Sequence, residues 1–330
     1  MPANLTPQYS KAEEEYRRAQ TAEEKVVCLE RMLQLIPKHK GTEKLQADLK
    51  TKLKETRDEV TEEKKTSAKK GKSARLPRQG AGQVILVGAP NSGKSRILAE
   101  LTHAKPEVAP YPFTTRELMP GMMPWEDVVV QLVDTPPITD AHFESAILSL
   151  VRSADAVLLC MDGSSDDAPD QTHEVLRQFE ARKTVLDNLS GFKEDDFSVV
   201  HVKSLLVVTH ADDPGCPARL EYYREAYPHS LRTLLVELER ADSITELRDE
   251  IYRLLGVIRV YTKPPGRPAD MTLPFTLPIG GTVEDLATKV HRDLAAKLKF
   301  AKVWGDGAHD GQSVGPEHVL FDKNVVELHA

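Results

Sequence analysis

The sequence predicts an α/β fold: a mostly parallel sheet with helices on both faces, a helical arm before it and a small α+β domain after it. Three observations predict this. Between residues 81 and 258 short apolar runs alternate with helical or loop-like segments, the pattern of a sheet buried on both sides. The first of those runs leads directly into Gly-Ala-Pro-Asn-Ser-Gly-Lys-Ser at 88–95. Residues 1–62 read as charged helices, and residues 259–330 mix short strands with a helix. The chain therefore divides into an N-terminal helical arm (1–62), a basic linker (63–80), an α/β domain (81–258) and a C-terminal domain (259–330).

In the arm, Thr6-Pro7 starts a first helix, with proline at the first helical position. Thr21 and Glu24 form a capping-box pattern ahead of a second helix. That helix shows Val26, Leu29, Met32, Leu33 and Ile36 on one face, and Pro37 ends it. After the basic turn Lys38–Gly41, Thr42 caps a third helix with Leu45, Leu49 and Leu53 at four-residue spacing. The stripe is narrow, so the arm is expected to pack on another surface rather than stand alone. The linker carries Lys64, Lys65, Lys69, Lys70, Lys72, Arg75 and Arg78 with almost no apolar residue. It suits a solvated spacer or an electrostatic contact to RNA phosphate, and the two readings are compatible.

The strand candidates are Val84–Val87, Val128–Val133, Ala156–Met161, Leu205–Thr209 and Leu234–Leu238. Past a break at Tyr261–Gly266, the C-terminal domain shows a strand at Phe275–Leu277 and a turn at Pro278–Gly281. A Thr282-capped helix follows, running to about Phe300, and then short strands at Ala301–Trp304, His318–Phe321 and Val325–Leu328. This reads as a ubiquitin-like outline.

The loop at 88–95 is G-x-x-x-x-G-K-S between a strand and a helix, the phosphate-binding loop of nucleoside triphosphatases. A glycine-rich turn turns successive backbone N–H groups toward an anion, and the helix dipole adds to the attraction. Gly88, Ala89, Pro90, Asn91, Ser92, Gly93, Lys94, Ser95 and Arg96 are the candidate phosphate contacts. Lys94 is expected to reach the β- and γ-phosphates and Ser95 to hold Mg²⁺. Tyr111–Arg116 lies where a first switch loop belongs. Thr114 or Thr115 can ligate Mg²⁺ there, and Thr115 is the preferred candidate.

Asp134 follows the run Val128–Val133 directly, in place to hold Mg²⁺ through water. The usual pattern there is D-x-x-G, whose glycine N–H bonds the γ-phosphate. Here it reads Asp134-Thr135-Pro136-Pro137, and Pro137 has no N–H to offer. Ile138 stands where a water-orienting glutamine is found in Ras-like enzymes. Hydrolysis without help is therefore expected to be slow.

The base-reading loop, usually N-K-x-D, is Thr209-His210-Ala211-Asp212. Asp212 can accept from the two guanine donors and Thr209 can donate once. His210 either lies flat on the base or is an ordinary surface histidine. The element after the last strand, near Glu237-Leu238, does not match the guanine pattern. Asn91 is either a turn residue or a K⁺ ligand that supplies transition-state charge, which makes Lys94, Thr115 and Asn91 the candidate catalytic residues.

These residues resemble the Obg-like GTPases, closest to the branch of developmentally regulated GTP-binding proteins. The resemblance rests on Ile36–Leu45, on Tyr111–Thr115 with Pro120-Gly121, and on a TGS-like set. That set is Tyr261–Pro264, Gly281–Asp285, Ala301–Gly305 and His318–Leu320. It implies a P-loop GTPase domain, a C-terminal ubiquitin-like (β-grasp) TGS domain, GTP and GDP as ligands, slow hydrolysis, and association with ribosomes or structured RNA. The branch also carries a domain inserted in its GTPase region, for which residues 165–203 are too short.

Two alternatives to a ribosome- or RNA-docking GTPase stand beside it. One is a nucleotide-binding adaptor with little hydrolysis, suggested by Pro137; the other is an ATP-using P-loop enzyme. Net charge is −7 over 330 residues, so any polyanion contact must come from local patches. Cys28, Cys160 and Cys216 are far apart without metal spacing, as in a reducing cytoplasm. No run approaches the about 20 apolar residues of a membrane helix. The expected location is cytoplasmic.

Overall fold

In a computed structural model of the chain, the described residues are 6–19, 22–37, 42–66, 76–102, 118–140, 143–193, 196–228 and 231–330. Compact contacts group them into two units, the first holding 1–78, 83–121 and 132–244, the second 79–82, 122–131 and 245–330.

The first unit begins with α1 (Pro7–Arg18), α2 (Ala22–Leu35) and α3 (Glu43–Thr66). Thr6 starts α1 as expected: its Oγ1 accepts from the Tyr9 N–H at 3.2 Å. The capping-box residue Thr21 and the basic turn Lys38–Gly41 lie outside the described residues. Thr42 Oγ1 donates to the Pro37 carbonyl at 2.5 Å, just ahead of α3. Tyr9, Ala12, Leu29, Met32, Ile36, Leu45 and Leu49 bury against one another. The narrow stripes of the three helices meet each other, so the arm has a core of its own. The expected packing on another surface is present beside that core. α1 and α3 also reach the α/β layer.

That layer is built from β1 (Gln83–Gly88), α4 (Lys94–Thr102), β2 (Met119–Trp125), β3 (Val128–Asp134), α5 (Ser145–Ser153), β4 (Ala156–Asp162) and α6 (Ala168–Glu180). It continues with β5 (Thr184–Asp187), β6 (Gly191–Lys193), β7 (Asp196–Thr209), α7 (Cys216–Ala226) and β8 (Thr233–Leu235). The sheet order is β2-β3-β1-β4-β7-β5, with β6 and β8 also on β7. β1–β4, β4–β7, β5–β7 and β7–β8 are parallel, and β6 runs antiparallel. Every residue of β1 is buried, because helices cover both faces and leave no alternation. The core joins Ile85, Val87, Leu159, Met161, Leu206 and Val208 to Val175 and Phe179 of α6 and Ile147 and Val151 of α5.

Two strand expectations change here. The final strand stops at Leu235 rather than Leu238, although Val236 and Leu238 are buried. Leu205–Thr209 is only the end of β7, which is 14 residues long. Its first half pairs with β5 and β6, so the described residues of 165–203 are helical in part, in α6, and otherwise mostly strand.

The second unit contains most of α8 (Ala241–Leu255), then β9 (Val257–Thr262), β10 (Phe275–Pro278), α9 (Val283–Val290), α10 (Arg292–Lys297), β11 (Phe300–Trp304), β12 (Gln312–Val314) and β13 (Asn324–His329). Its sheet runs β10-β9-β13-β11-β12. Only β9–β13 is parallel; β10–β9, β11–β13 and β11–β12 are antiparallel. Thr282 and Asp285 form a complete capping box on α9. The helix does not reach Phe300: it ends at Val290, and His291 caps α10 with its own side chain. His318–Phe321 is not a strand and contributes an isolated bridge from Val319 to Thr282. β9 runs through Tyr261, where a break was expected.

The tip of the β2–β3 hairpin belongs to this unit. Arg259 is buried and bonds Asp127 at 2.8 Å, Asp322 at 2.7 Å and Glu126. Its guanidinium lies 4.8 Å from the Trp125 ring centre, and Trp125 stacks on Tyr252 at 3.5 Å. Burial works against the Arg259 charge, but the three carboxylates outweigh it and raise its pKa.

Candidate nucleotide-binding site

The phosphate loop lies at the carboxyl end of β1 and opens α4, in the first unit. Gly93 has φ +86°, and a Cβ there would lie 2.8 Å from Thr209 Cγ2 and 3.0 Å from its Oγ1. Only glycine fits both the backbone angle and the space. Asn91 is also left-handed at φ 59° and is exposed, a conformation asparagine tolerates better than most residues. Lys94 folds back over the loop: its Nζ donates to the Gly88 and Ala89 carbonyls at 3.1 and 2.8 Å and to Ser92 Oγ at 3.2 Å. Burial lowers its pKa.

Ser95 and Asp134 meet as the sequence suggested. Ser95 Oγ donates to Asp134 Oδ2 at 2.5 Å. The second oxygen, Oδ1, is buried with no hydrogen-bond partner, and burial raises the Asp134 pKa. A buried, half-satisfied carboxylate beside a hydroxyl at the phosphate loop is a donor set that suits a divalent cation. The residues expected to form the first switch, Thr114 and Thr115 among them, lie in 103–117, outside the described residues.

The segment after Asp134 is anchored to β1. Thr135 Oγ1 donates to the Leu86 carbonyl at 2.7 Å, and the Ile138 N–H donates to the Gly88 carbonyl at 3.1 Å. Ile138 is buried in the core of the unit. Its side chain is packing material there, while Pro137 is exposed.

At the loop expected to read the base, Thr209 is fully buried and its Oγ1 lies 3.3 Å from the Met161 carbonyl. Asp212 is exposed, with no hydrogen-bond partner among the described residues. Its neighbour Asp213 accepts from Arg219 at 2.7 Å and from the Gly215 N–H at 2.8 Å. Arg96 pairs with Glu239, in the loop after β8.

Sequence reasoning missed Asp162. It accepts from the Ser164 N–H and Oγ at 2.9 and 2.7 Å and lies 2.9 Å from His210 Nδ1. The available signal was an aspartate at the carboxyl end of a buried run, the same signal that marked Asp134.

Comparison with known proteins agrees with this geometry. The family model described as 50S ribosome-binding GTPase matches residues 83–189, and the TGS domain model matches residues 258–330. An uncharacterized GTP-binding protein of Methanocaldococcus jannaschii is 27% identical over 362 residues, covering 93% of this chain and 92% of the relative. Developmentally-regulated G-protein 1 of Arabidopsis thaliana is 27% identical over 365 residues, covering 92% of this chain and 90% of the relative. In structure, the YchF GTPase of Schizosaccharomyces pombe shares the fold. Its TM-score is 0.50 at 12% identity, over 79% of this chain and all of that one.

Proposed function

The chain joins a P-loop GTPase domain to a TGS domain and is homologous over most of its length to the developmentally regulated GTP-binding proteins; from that premise we propose that it binds GTP and GDP, hydrolyses GTP slowly, and acts on the ribosome or a structured RNA. The observation that carries the nucleotide reading is the convergence of Lys94, Ser95 and the half-satisfied Asp134 on the loop 88–95. When a triphosphate binds, the Lys94 ammonium exchanges main-chain carbonyls for phosphate oxygens. Ser95 and Asp134 would hold Mg²⁺, joined by Thr115, and the cation would neutralise phosphate charge.

Slow turnover is supported by the second switch. Pro137 offers no N–H, and Ile138 is turned into the core instead of toward a water. Asn91, exposed on the loop, is the candidate K⁺ ligand that makes up the missing transition-state charge. Pro137 also favours a second reading, an adaptor that binds nucleotide without useful turnover. Ribosome or RNA association is supported by the matching family's description, by the basic stretch 63–80 and by the TGS domain.

Affinity for GTP, GDP and ATP on wild type and Lys94→Ala tests the first claim, with binding expected only in wild type and guanine preferred. Turnover with and without ribosomes separates the enzyme from the adaptor. Co-sedimentation with ribosomes that is equally absent in GTP and GDP defeats the docking claim.

A further inference from the structure

We propose that Asp162 is a specificity-determining positioning residue: it holds His210 as the platform on which the purine stacks, leaving Asp212 as the side chain that reads the base by hydrogen bonds. This rests on the reading of the site as a guanine-nucleotide site and names how its base half works.

The placement follows from the sheet. β4 and β7 are parallel with Asp162 in register with Thr209, so the carboxylate at the end of one strand stands beside the residue that leaves the other. Asp162 is held in turn by Ser164, through both its N–H and its hydroxyl. Burial opposes the Asp162 charge, but the Ser164 and His210 bonds outweigh it and keep the carboxyl below its usual range. An ionised carboxylate only accepts, so His210 Nδ1 carries the proton it donates at 2.9 Å. The tautomer and the ring orientation are thereby set.

The backbone agrees. His210 has φ +50°, a left-handed conformation that a residue with a Cβ keeps only when its surroundings impose it. The Thr209 carbonyl before it accepts from the Gly163 N–H at 2.8 Å, and its own carbonyl accepts from the Asp213 N–H at 3.1 Å. The ring itself stays about one-third exposed.

The neighbouring side chains have other tasks. Thr209 is fully buried, with its hydroxyl 3.3 Å from the Met161 carbonyl and 3.5 Å from His210 Nδ1, and its methyl against Gly93. Asp213 is taken by Arg219. What remains at the loop is one oriented imidazole face and one carboxylate, Asp212, unpartnered among the described residues.

The test is a double-mutant cycle of Asp162→Asn and His210→Ala, reading Mg²⁺-dependent affinity for GDP and for inorganic triphosphate. Asp162→Asn is expected to weaken GDP about tenfold, to leave triphosphate within about twofold, and to cost nothing further once His210 is alanine. Long-range ¹H–¹⁵N spectra of the wild-type ring are expected to show a single Nδ1–H tautomer that becomes mixed in the variant. Equal loss of GDP and triphosphate, or a full loss that persists in the His210→Ala background, makes Asp162 a fold residue and overturns the proposal. So does unchanged GDP affinity. Wild-type protein that binds neither ligand removes the nucleotide reading itself, which is a different failure.

Discussion

Replacing Gly93 with alanine perturbs the phosphate loop in a way the structure lets one price in two separable parts. The residue sits at φ +86°, where an L side chain costs about 1–3 kcal/mol of backbone strain. The new Cβ would also lie 2.8, 3.0 and 3.3 Å from Thr209 Cγ2, Oγ1 and Cβ, an overpacking that costs about 1–3 kcal/mol. The sum is about 2–6 kcal/mol. Thr209→Ala removes the two nearest of those atoms. Alone it costs about 0.5–1.5 kcal/mol for the bond to Met161, yet in the Gly93→Ala background it should return most of the steric part. The assay is urea unfolding of the four proteins of the cycle, with GDP affinity measured beside it. The expected coupling is at least about 1 kcal/mol in the relieving direction. A Gly93→Ala cost below about 0.5 kcal/mol, or a cost that Thr209→Ala leaves intact, refutes the reasoning that Thr209 is the floor of the loop.

Three further outcomes are expected. Arg259→Ala leaves Asp127 and Asp322 without their cation and should destabilise the unit that holds the β9–β13 sheet by about 2–4 kcal/mol, read by denaturant unfolding, with Arg259→Lys failing to restore the guanidinium's contact with the Trp125 ring. Lys52 has its pKa pushed down to about 8, first by burial and then by Arg152. The unfolded chain then holds more protons between pH 8 and 10.5, so this residue's penalty is complete below about pH 8 and fades as pH rises toward 10.5. Lys52→Met should stabilise the protein at pH 7 by about 1–3 kcal/mol and flatten that rise, checked by urea unfolding at pH 7 and 10. If Asn91 ligates K⁺, GTP turnover in K⁺ buffer should exceed that in Na⁺ several-fold and Asn91→Ala should abolish the difference; equal rates in both buffers remove K⁺ from the mechanism.

Much of the site was legible because its signals are short-range. The loop 88–95 needs a strand, a glycine-rich turn and a helix in succession, and all three are written within about twenty residues. The caps at Thr6 and Thr282 were legible for the same reason, since a cap is decided within one turn. That Ile138 cannot orient a water was readable from its side chain; that the core takes it was not. The helix expected from Thr282 to Phe300 broke at His291, where the histidine side chain caps a new helix, a local option that apolar periodicity does not reveal.

The sequence by itself determined the phosphate loop, the carboxylate at the end of β3, a proline without an N–H at 137, and the order of the two recognisable domains. Each is a property of neighbouring residues, and elementary backbone chemistry suffices to read it. Tertiary structure alone decided that the arm closes on its own core, that Arg259 gathers Glu126, Asp127 and Asp322, and that Asp162 stands beside His210. Those depend on helix-to-helix packing and on strand register between segments 48 to 133 residues apart, where the partner of a charge is chosen by geometry that no single stretch of chain contains.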